Sequence, residues 1–353
     1  MVRFFLLFFI FTACFIAAST AQNSCDQSTK QAEELYNSGD YENCIRILEK
    51  SFKECRTSKK ISEDILELLA KSHLEQDNVV QAEADVKSML ENNPHYELKD
   101  GNNNEDFELL VKKFDVHPQF SIGVRNAALL PKLKSTKTFS ILNNVDYSAP
   151  YTTAKTILIY NIWAEYEFHK GLSLNSEFID FSLNYNRNFS RGTDWSMAYR
   201  ENLSFIEVPL YLKKYFPIGK NVMPYVDLGI GYLRMTKAAA GSSIAYINED
   251  AYTGAKTNFA AGSENMDMLK MRNENNYEWI AGAGIGYKFK NLGLFIDARY
   301  CGGLMSLTNT SNRFENTALT NNYFYIDNAI KLNKFEIGIS ISYTLINSIK
   351  KIR

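Results

Sequence analysis

The chain has 353 residues, 45% of them hydrophobic, and a formal net charge of −1. That length allows two domains, and the near-neutral balance argues against nucleic acid as a partner. Beyond the N-terminus no stretch stays apolar for the ~18 residues that a membrane-crossing helix needs.

Met1–Ala21 reads as a secretory signal: Arg3 supplies the positive start, Phe4–Phe11 the apolar core, and Ser19-Thr20-Ala21 a small-residue cleavage site before Gln22. The alternatives are an uncleaved anchor and a lipid-modified Cys14, although the apolar run continues past Cys14 through Ile16. Export makes disulfides available. The remaining cysteines, Cys25, Cys44, Cys55 and Cys301, lack zinc spacing and have no histidine cluster beside them.

Residues 22–116 form a helical domain. Ala32, Leu35 and Tyr36 lie at helical spacing, and Asn37-Ser38-Gly39-Asp40 is turn chemistry. A second helix places Tyr41, Cys44, Ile45, Leu48 and Phe52 on one side. Ile61–Glu75 makes a third, Val79–Leu90 a fourth stopped by Asn92-Asn93-Pro94, and Asp106–Phe114 a last short one. Antiparallel packing of the first two helices would set Cys25 beside Cys55, the predicted disulfide. Cys44 is eleven residues from Cys55, about 16 Å along a helix, too far for a bond, and is expected buried as a small apolar residue.

From Gln119 the period changes to 2. The strands are Gln119–Ala127, Thr156–Phe168, Leu172–Asn186, Leu203–Phe216, Tyr225–Met235, Tyr277–Phe289, Leu292–Leu304 and Asn333–Leu345. Tyr323–Leu332 extends the last strand or belongs to its loop. Three connections are short: His169-Lys170-Gly171, Pro217–Pro224 and Lys290-Asn291. They alternate strictly with long ones at roughly 128–155, 187–202, 236–276 and 305–332. Short turns on one side and long loops on the other, with an even strand number, are the pattern of a transmembrane barrel. The fold class is therefore an eight-stranded antiparallel transmembrane β-barrel over 117–346, with a short tail at 347–353. An N-terminal domain and C-terminus in the periplasm follow from that topology, and outer-membrane lipid is the expected surroundings.

One strand face is uncharged, as in Leu158, Tyr160 and Ile162 or Ile337, Ile339 and Ile341. Aromatics gather at its ends: Phe168, Phe216, Phe289 and Tyr343 at one, Tyr185, Tyr232, Tyr277 and Tyr300 at the other. The third strand changes parity between Phe178 and Ile179, which a bulge would repair. Pro209 cannot donate a ladder hydrogen bond and is expected at a bulge too. The opposite face carries charge, and Arg125, Glu165, Glu207, Lys213, Asp227, Asp297 and Arg299 are the candidate lumen network. A barrel this narrow is filled by side chains, so mixed charges there pair and plug it; a proton or ion path is the alternative.

The strands IEVPLYLKKYF (Ile206–Phe216), YVDLGIGY (Tyr225–Tyr232) and GAGIGYKF (Gly282–Phe289), with the closing strand, resemble the PorT-like outer-membrane barrel family of Gram-negative bacteria over roughly residues 118–345. That resemblance implies an outer-membrane barrel and raises a role in protein secretion, which fold similarity does not transfer. Glu336, Gly338, Ile341 and Tyr343 resemble the C-terminal signal read by the barrel-assembly machinery, although the chain runs on to Arg353. AEELYNSGDYENCIRIL and the run Ala82, Val86, Met89, Pro94 resemble a tetratricopeptide helix pair; an unrelated four-helix unit is the other reading.

No catalytic, cofactor or metal motif stands out. The histidines are His73, His95, His117 and His169, none at an inward membrane position, and no HExxH occurs. The expectation is a non-enzymatic outer-membrane component with a structural, assembly or secretion-associated role. Its helical domain would dock a periplasmic or envelope partner. A small pore or uptake barrel is the alternative, and a lumenal enzyme is less favoured for want of a base beside a nucleophile.

Overall fold

Near residue 114 the apolar spacing passes from helical to alternating, and the backbone passes from helix to strand. The computed structural model describes residues 27–54, 59–98, 104–141, 150–153, 156–250 and 252–352. The export signal over Met1–Ala21, the lipidation alternative at Cys14 and the Cys25–Cys55 bridge lie outside the described residues. Two compact units are present: one takes the chain up to Pro118 together with the tail from Asn347, the other is Gln119–Ile346.

The first unit holds α1 (27–37), α2 (Tyr41–Glu54), α3 (Lys59–Glu75), α4 (Val79–Asn92) and α5 (Glu105–Lys112). Asparagine side chains start two of them: Asn78 accepts from the Gln81 amide at 3.3 Å, and Asn104 from the Asp106 amide at 2.9 Å. The apolar stripes meet in one core that includes Leu48, Ile65, Leu69, Val86, Met89 and Phe107. Cys44 is buried there and unbridged, its thiol donating to the Ala32 carbonyl at 3.3 Å. The last helix stops at Lys112, short of the expected Phe114. Phe114 and Val116 pack on the helical core from extended chain, at period 2, and this draws the backbone out of the helix.

Two features of this unit have measurable consequences. His73 Nδ1 and Asp85 Oδ2 lie 2.7 Å apart between α3 and α4, both largely buried. Burial pushes the Asp85 carboxyl above its ordinary 3.8, against the opposing pull of His73. A carboxyl whose folded pKa is raised favours the fold while protonated, so its contribution is lost as pH rises from 3.8 through the raised value. Asp85→Asn does not titrate. Its helical unit is expected to gain thermal stability over wild type as pH rises through that window, read by helical circular dichroism; a gap independent of pH would show that Asp85 carries no such shift.

The tail belongs to the same unit. Ile349 packs against the helical core, the Ile352 amide donates to the Lys113 carbonyl at 2.7 Å, and Lys351 Nζ sits 2.6 Å from Glu83 Oε2. The Lys351 side chain is half exposed, so Lys351→Ala should cost no more than about 0.5 kcal/mol. Ile349→Asp should cost more, because it removes apolar burial and brings a charge to the core edge. Equal melting shifts for the two would count against a packing role for the tail.

The second unit is built from β1 (Phe114–Lys137) from Gln119 onward, β2 (Thr152–Thr153), β3 (Ile157–His169), β4 (Leu172–Arg191), β5 (Trp195–Tyr215), β6 (Val222–Glu249), β7 (Lys256–Asp267), β8 (Asn275–Phe289), β9 (Leu292–Gly303) and β10 (Ala329–Lys351) as far as Ile346. Eight of these close a ring in the order β1, β3, β4, β5, β6, β8, β9, β10 and back to β1. The pairings across the wall are antiparallel. β2 adds to β4 and β7 to β6 outside the ring. The tight turns fall where they were expected, with positive φ at Gly171 (69°) and Lys290 (52°).

Several expectations need correction. Residues 187–202 are not a loop: β4 and β5 stay paired out to Arg191↔Trp195, leaving a turn at Gly192-Thr193-Asp194. Their alternation continues through Arg187, Phe189, Met197 and Tyr199, all buried. No bulge occurs near Phe178, since the register from Ser176↔Leu210 to Ile179↔Glu207 is unchanged. Ile179, Phe181 and Leu183 point inward because this half of the interior is apolar. Tyr185 points inward with them and is no part of an exterior girdle. Pro209 also sits without a bulge, in register with Gly231. The β4–β5 ladder skips the pairs opposite Pro209 and Val208 instead, so the missing donor opens a gap without adding a residue. The register shift in β5–β6 lies further out, at Ser204/Phe205. The β9–β10 connection carries a short helix, α6 (Thr317–Tyr323), before β10 begins.

Candidate functional site

The charged residues sit on strands whose inward positions alternate with outward apolar ones, so each is delivered to the lumen by period alone. Leu158, Ile162, Leu228, Ile296 and Ile339 are exposed on the outside, while Arg125, Glu165, Glu207, Lys213, Asp227, Asp297 and Arg299 are all at most 4% exposed. Inward glycines make room. A Cβ at Gly338 would lie 2.6 Å from the Arg125 Nε, and one at Gly123 would lie 2.5 Å from the Trp163 ring.

Nearest the short turns is Lys213. Its ammonium is 3.5 Å from Glu165, whose carboxylate also accepts from the Tyr215 hydroxyl at 2.8 Å. Trp163, Tyr225 and Phe295 surround it, with ring centroids 4.7–5.6 Å from Nζ. At the next level Arg299 donates to Glu177 at 2.5 Å, and its Nε lies 3.5 Å from Asp227 and 3.7 Å from Asp297. The Tyr211 hydroxyl donates to the same Glu177 carboxylate at 2.5 Å. Arg125 bridges Asp297 at 2.5 Å and Glu336 at 2.9 Å. Above it Lys334 pairs with Glu207, and with Glu278 at 3.0 Å.

Four cations thus serve seven carboxylates, each cation bridging between strands. Acid is in excess, and neither oxygen of Asp227 makes a hydrogen bond. Toward the long loops the interior becomes aromatic. Arg272, from the β7–β8 connection, pairs with Glu201 and lies 2.6 Å from Asp327. Asp327 accepts from the hydroxyls of Tyr151 at 2.8 Å and Tyr325 at 2.9 Å. Tyr325 stacks on Tyr199 with centroids 4.3 Å apart.

All seven sequence-selected lumen residues point inward. The structure joins Arg125, Asp297, Arg299 and Asp227 in one cluster, pairs Glu165 with Lys213, and assigns Glu207 to Lys334. Glu177 and Lys334 were missed. Keeping β4 in one unbroken phase would have found Glu177, and extending the closing strand's alternation back one step from Phe335 would have found Lys334. Arg272 and Asp327 come from loops, where no period marks them. Of the assembly-signal residues, Glu336 and Gly338 face the lumen while Ile341 and Tyr343 are exposed outside. His169 is exposed at a turn. Among the described residues no group of three or more His, Cys, Asp or Glu is arranged to hold a metal.

A closed ring, greasy outside and ionic inside, inverts the arrangement of a water-soluble sheet protein and is the architecture of a transmembrane β-barrel. No helix among the described residues is long and apolar enough to cross a membrane, which does not bear on crossing by strands. Solved structures similar to this chain include the outer membrane protein OprG from Pseudomonas aeruginosa. It is 12% identical, with a TM-score of 0.37, over 64% of this chain and 95% of that one. The N-terminal β-barrel domain of Pseudomonas aeruginosa OprF is 10% identical, with a TM-score of 0.26, over 66% of this chain and 100% of that one. The outer membrane protein AlkL, solved in lipid bilayers, is 11% identical, with a TM-score of 0.33, over 73% and 96%. These are likenesses of fold alone. No protein-family model matches the chain, and no curated protein does.

Proposed function

We infer that this chain is an integral outer-membrane β-barrel whose lumen is sealed by its own ion pairs and whose role is structural, in assembly or in secretion. The observation that carries this reading is the sorting of the wall: Arg125, Glu165, Glu207, Lys213, Asp227, Asp297 and Arg299 at most 4% exposed within, and an uninterrupted apolar row on β10 from Phe335 to Leu345 without. The resemblance of the strands to PorT-like barrels supports a secretion-associated role, and the tetratricopeptide-like helices support docking of a periplasmic partner. Glu336, Gly338, Ile341 and Tyr343 would serve as the signal to the assembly machinery. Their split between the two wall faces gives such a receptor an apolar edge to read at Ile341 and Tyr343.

Purified protein should migrate differently on a gel before and after boiling, as a folded barrel does. Reconstituted into liposomes, it should give no reproducible channels. Steady conductance would replace the sealed lumen with a pore. Full-length protein used as bait in an envelope extract should retain a partner that a variant altered on the exposed residues Val80 and Leu109 of the helical unit loses.

A further inference from the structure

β6 continues well beyond its ring neighbour β8, whose pairing with it ends at Arg234↔Asn275, and the continuation is taken up by β7. Among the described residues β7 has β6 as its only strand partner. Among the described residues no backbone group of Thr257–Ser263 on the side away from β6 is hydrogen-bonded to other backbone. An open edge of this kind is a template for another strand, and proteins ordinarily blunt it with lysine, proline, a bulge or shortness. β7 carries such devices at its ends only. Lys256 stands at one end; Glu264, Asp267, a register shift and the left-handed Asn265 (φ 59°) stand at the other. Between them Thr257–Ser263 is straight in register, uncharged and free of proline. Its two faces differ. Phe259 meets Tyr246 of β6 at 4.7 Å between centroids, and Ala261 adjoins the apolar core, while Ala260 and Gly262 expose a nearly bare backbone.

We propose that the free edge of β7 is a docking site for an extended polypeptide segment, which joins the sheet as an antiparallel strand. The end charges set its direction. A base near the segment's N-terminus would lie opposite Glu264 and an acid near its C-terminus opposite Lys256, with β-branched or aromatic side chains falling beside Phe259 and Ala261. A second copy of this chain fits worse, a step that rests on the membrane reading above. Barrel strands incline by about 35–45°, so two copies related by an axis normal to the bilayer would bring their β7 edges together crossed at about 70–90°, too steep for a ladder.

The test uses the full-length protein in detergent and a synthetic peptide as long as Lys256–Glu264, alternating valine and threonine, with lysine first and glutamate last. Its control is the same peptide methylated at every backbone nitrogen. Saturable binding is expected for the first alone, together with slowed amide exchange confined to Thr257–Ser263. Gly262→Lys places an edge-guarding charge where a Cβ meets nothing closer than 3.6 Å, so the hairpin tolerates it. Binding should weaken about tenfold or more, while heat-modifiable migration is unchanged. Equal binding of the methylated peptide, no change in exchange on β7, or full affinity in Gly262→Lys would each overturn the proposal. So would a dimer in sedimentation that already protects Thr257–Ser263 without peptide, since the occupant would then be a second copy.

Discussion

Leu228→Arg is expected to destabilise the folded barrel by about 2–4 kcal/mol in lipid, the cost of a cation on the hydrocarbon-facing side near mid-membrane. Leu228 is 66% exposed on β6. In a water-soluble sheet, an arginine at so exposed a position would cost within about 0.5 kcal/mol. The two environments therefore predict different magnitudes for one substitution. Ser190→Arg, exposed on the outward extension of β4, supplies the internal comparison and should stay within about 0.5 kcal/mol. Urea titration of both variants folded into vesicles reads the difference. If Leu228→Arg is as silent as Ser190→Arg, the band is bathed by water and the membrane assignment falls.

The second large effect is expected inside the wall. Arg299→Met removes the cation shared by Glu177, Asp227 and Asp297 and leaves these carboxylates buried with less compensation. Breaking a buried pair from one side costs about 3–5 kcal/mol, most of it the penalty of the stranded charge. Adding Glu177→Gln should recover part of that loss, because the two residues form one interacting unit and their effects are not additive. A single variant as stable as wild type would mean that water, and not Arg299, solvates these acids, and that the lumen is open.

The number of ring strands, the three short turns and the wall polarity were legible because each rests on short-range periodicity that the chain repeats strand after strand. The rules failed where the interior changes character. On β4, Ile179, Phe181 and Leu183 turn inward to meet an apolar layer, and apolar residues on the lumen side look like a phase error to anyone assuming a uniformly polar interior. Glu177 disappeared from the site for that reason. Pro209 misled in the opposite direction: a missing donor need not be matched by an extra residue when the neighbouring ladder can simply lapse. Arg272 and Asp327 could not have been found, because their contact joins two loops distant in sequence, and no local pattern encodes such a meeting.

Ser121 and Thr344 touch through their hydroxyls at 3.2 Å, and Arg125 reaches Glu336 across the same junction. This is where the first and last staves of the cylinder meet. β10 is the last of the eight ring strands in chain order, so the cylinder stays unsealed and Arg125 lacks Glu336 until that strand is present. A chain cut short before Ala329 would therefore hold Arg125 by Asp297 alone and leave Glu207 and Glu278 without Lys334 at an open rim, a built-in mark that separates incomplete products from finished ones.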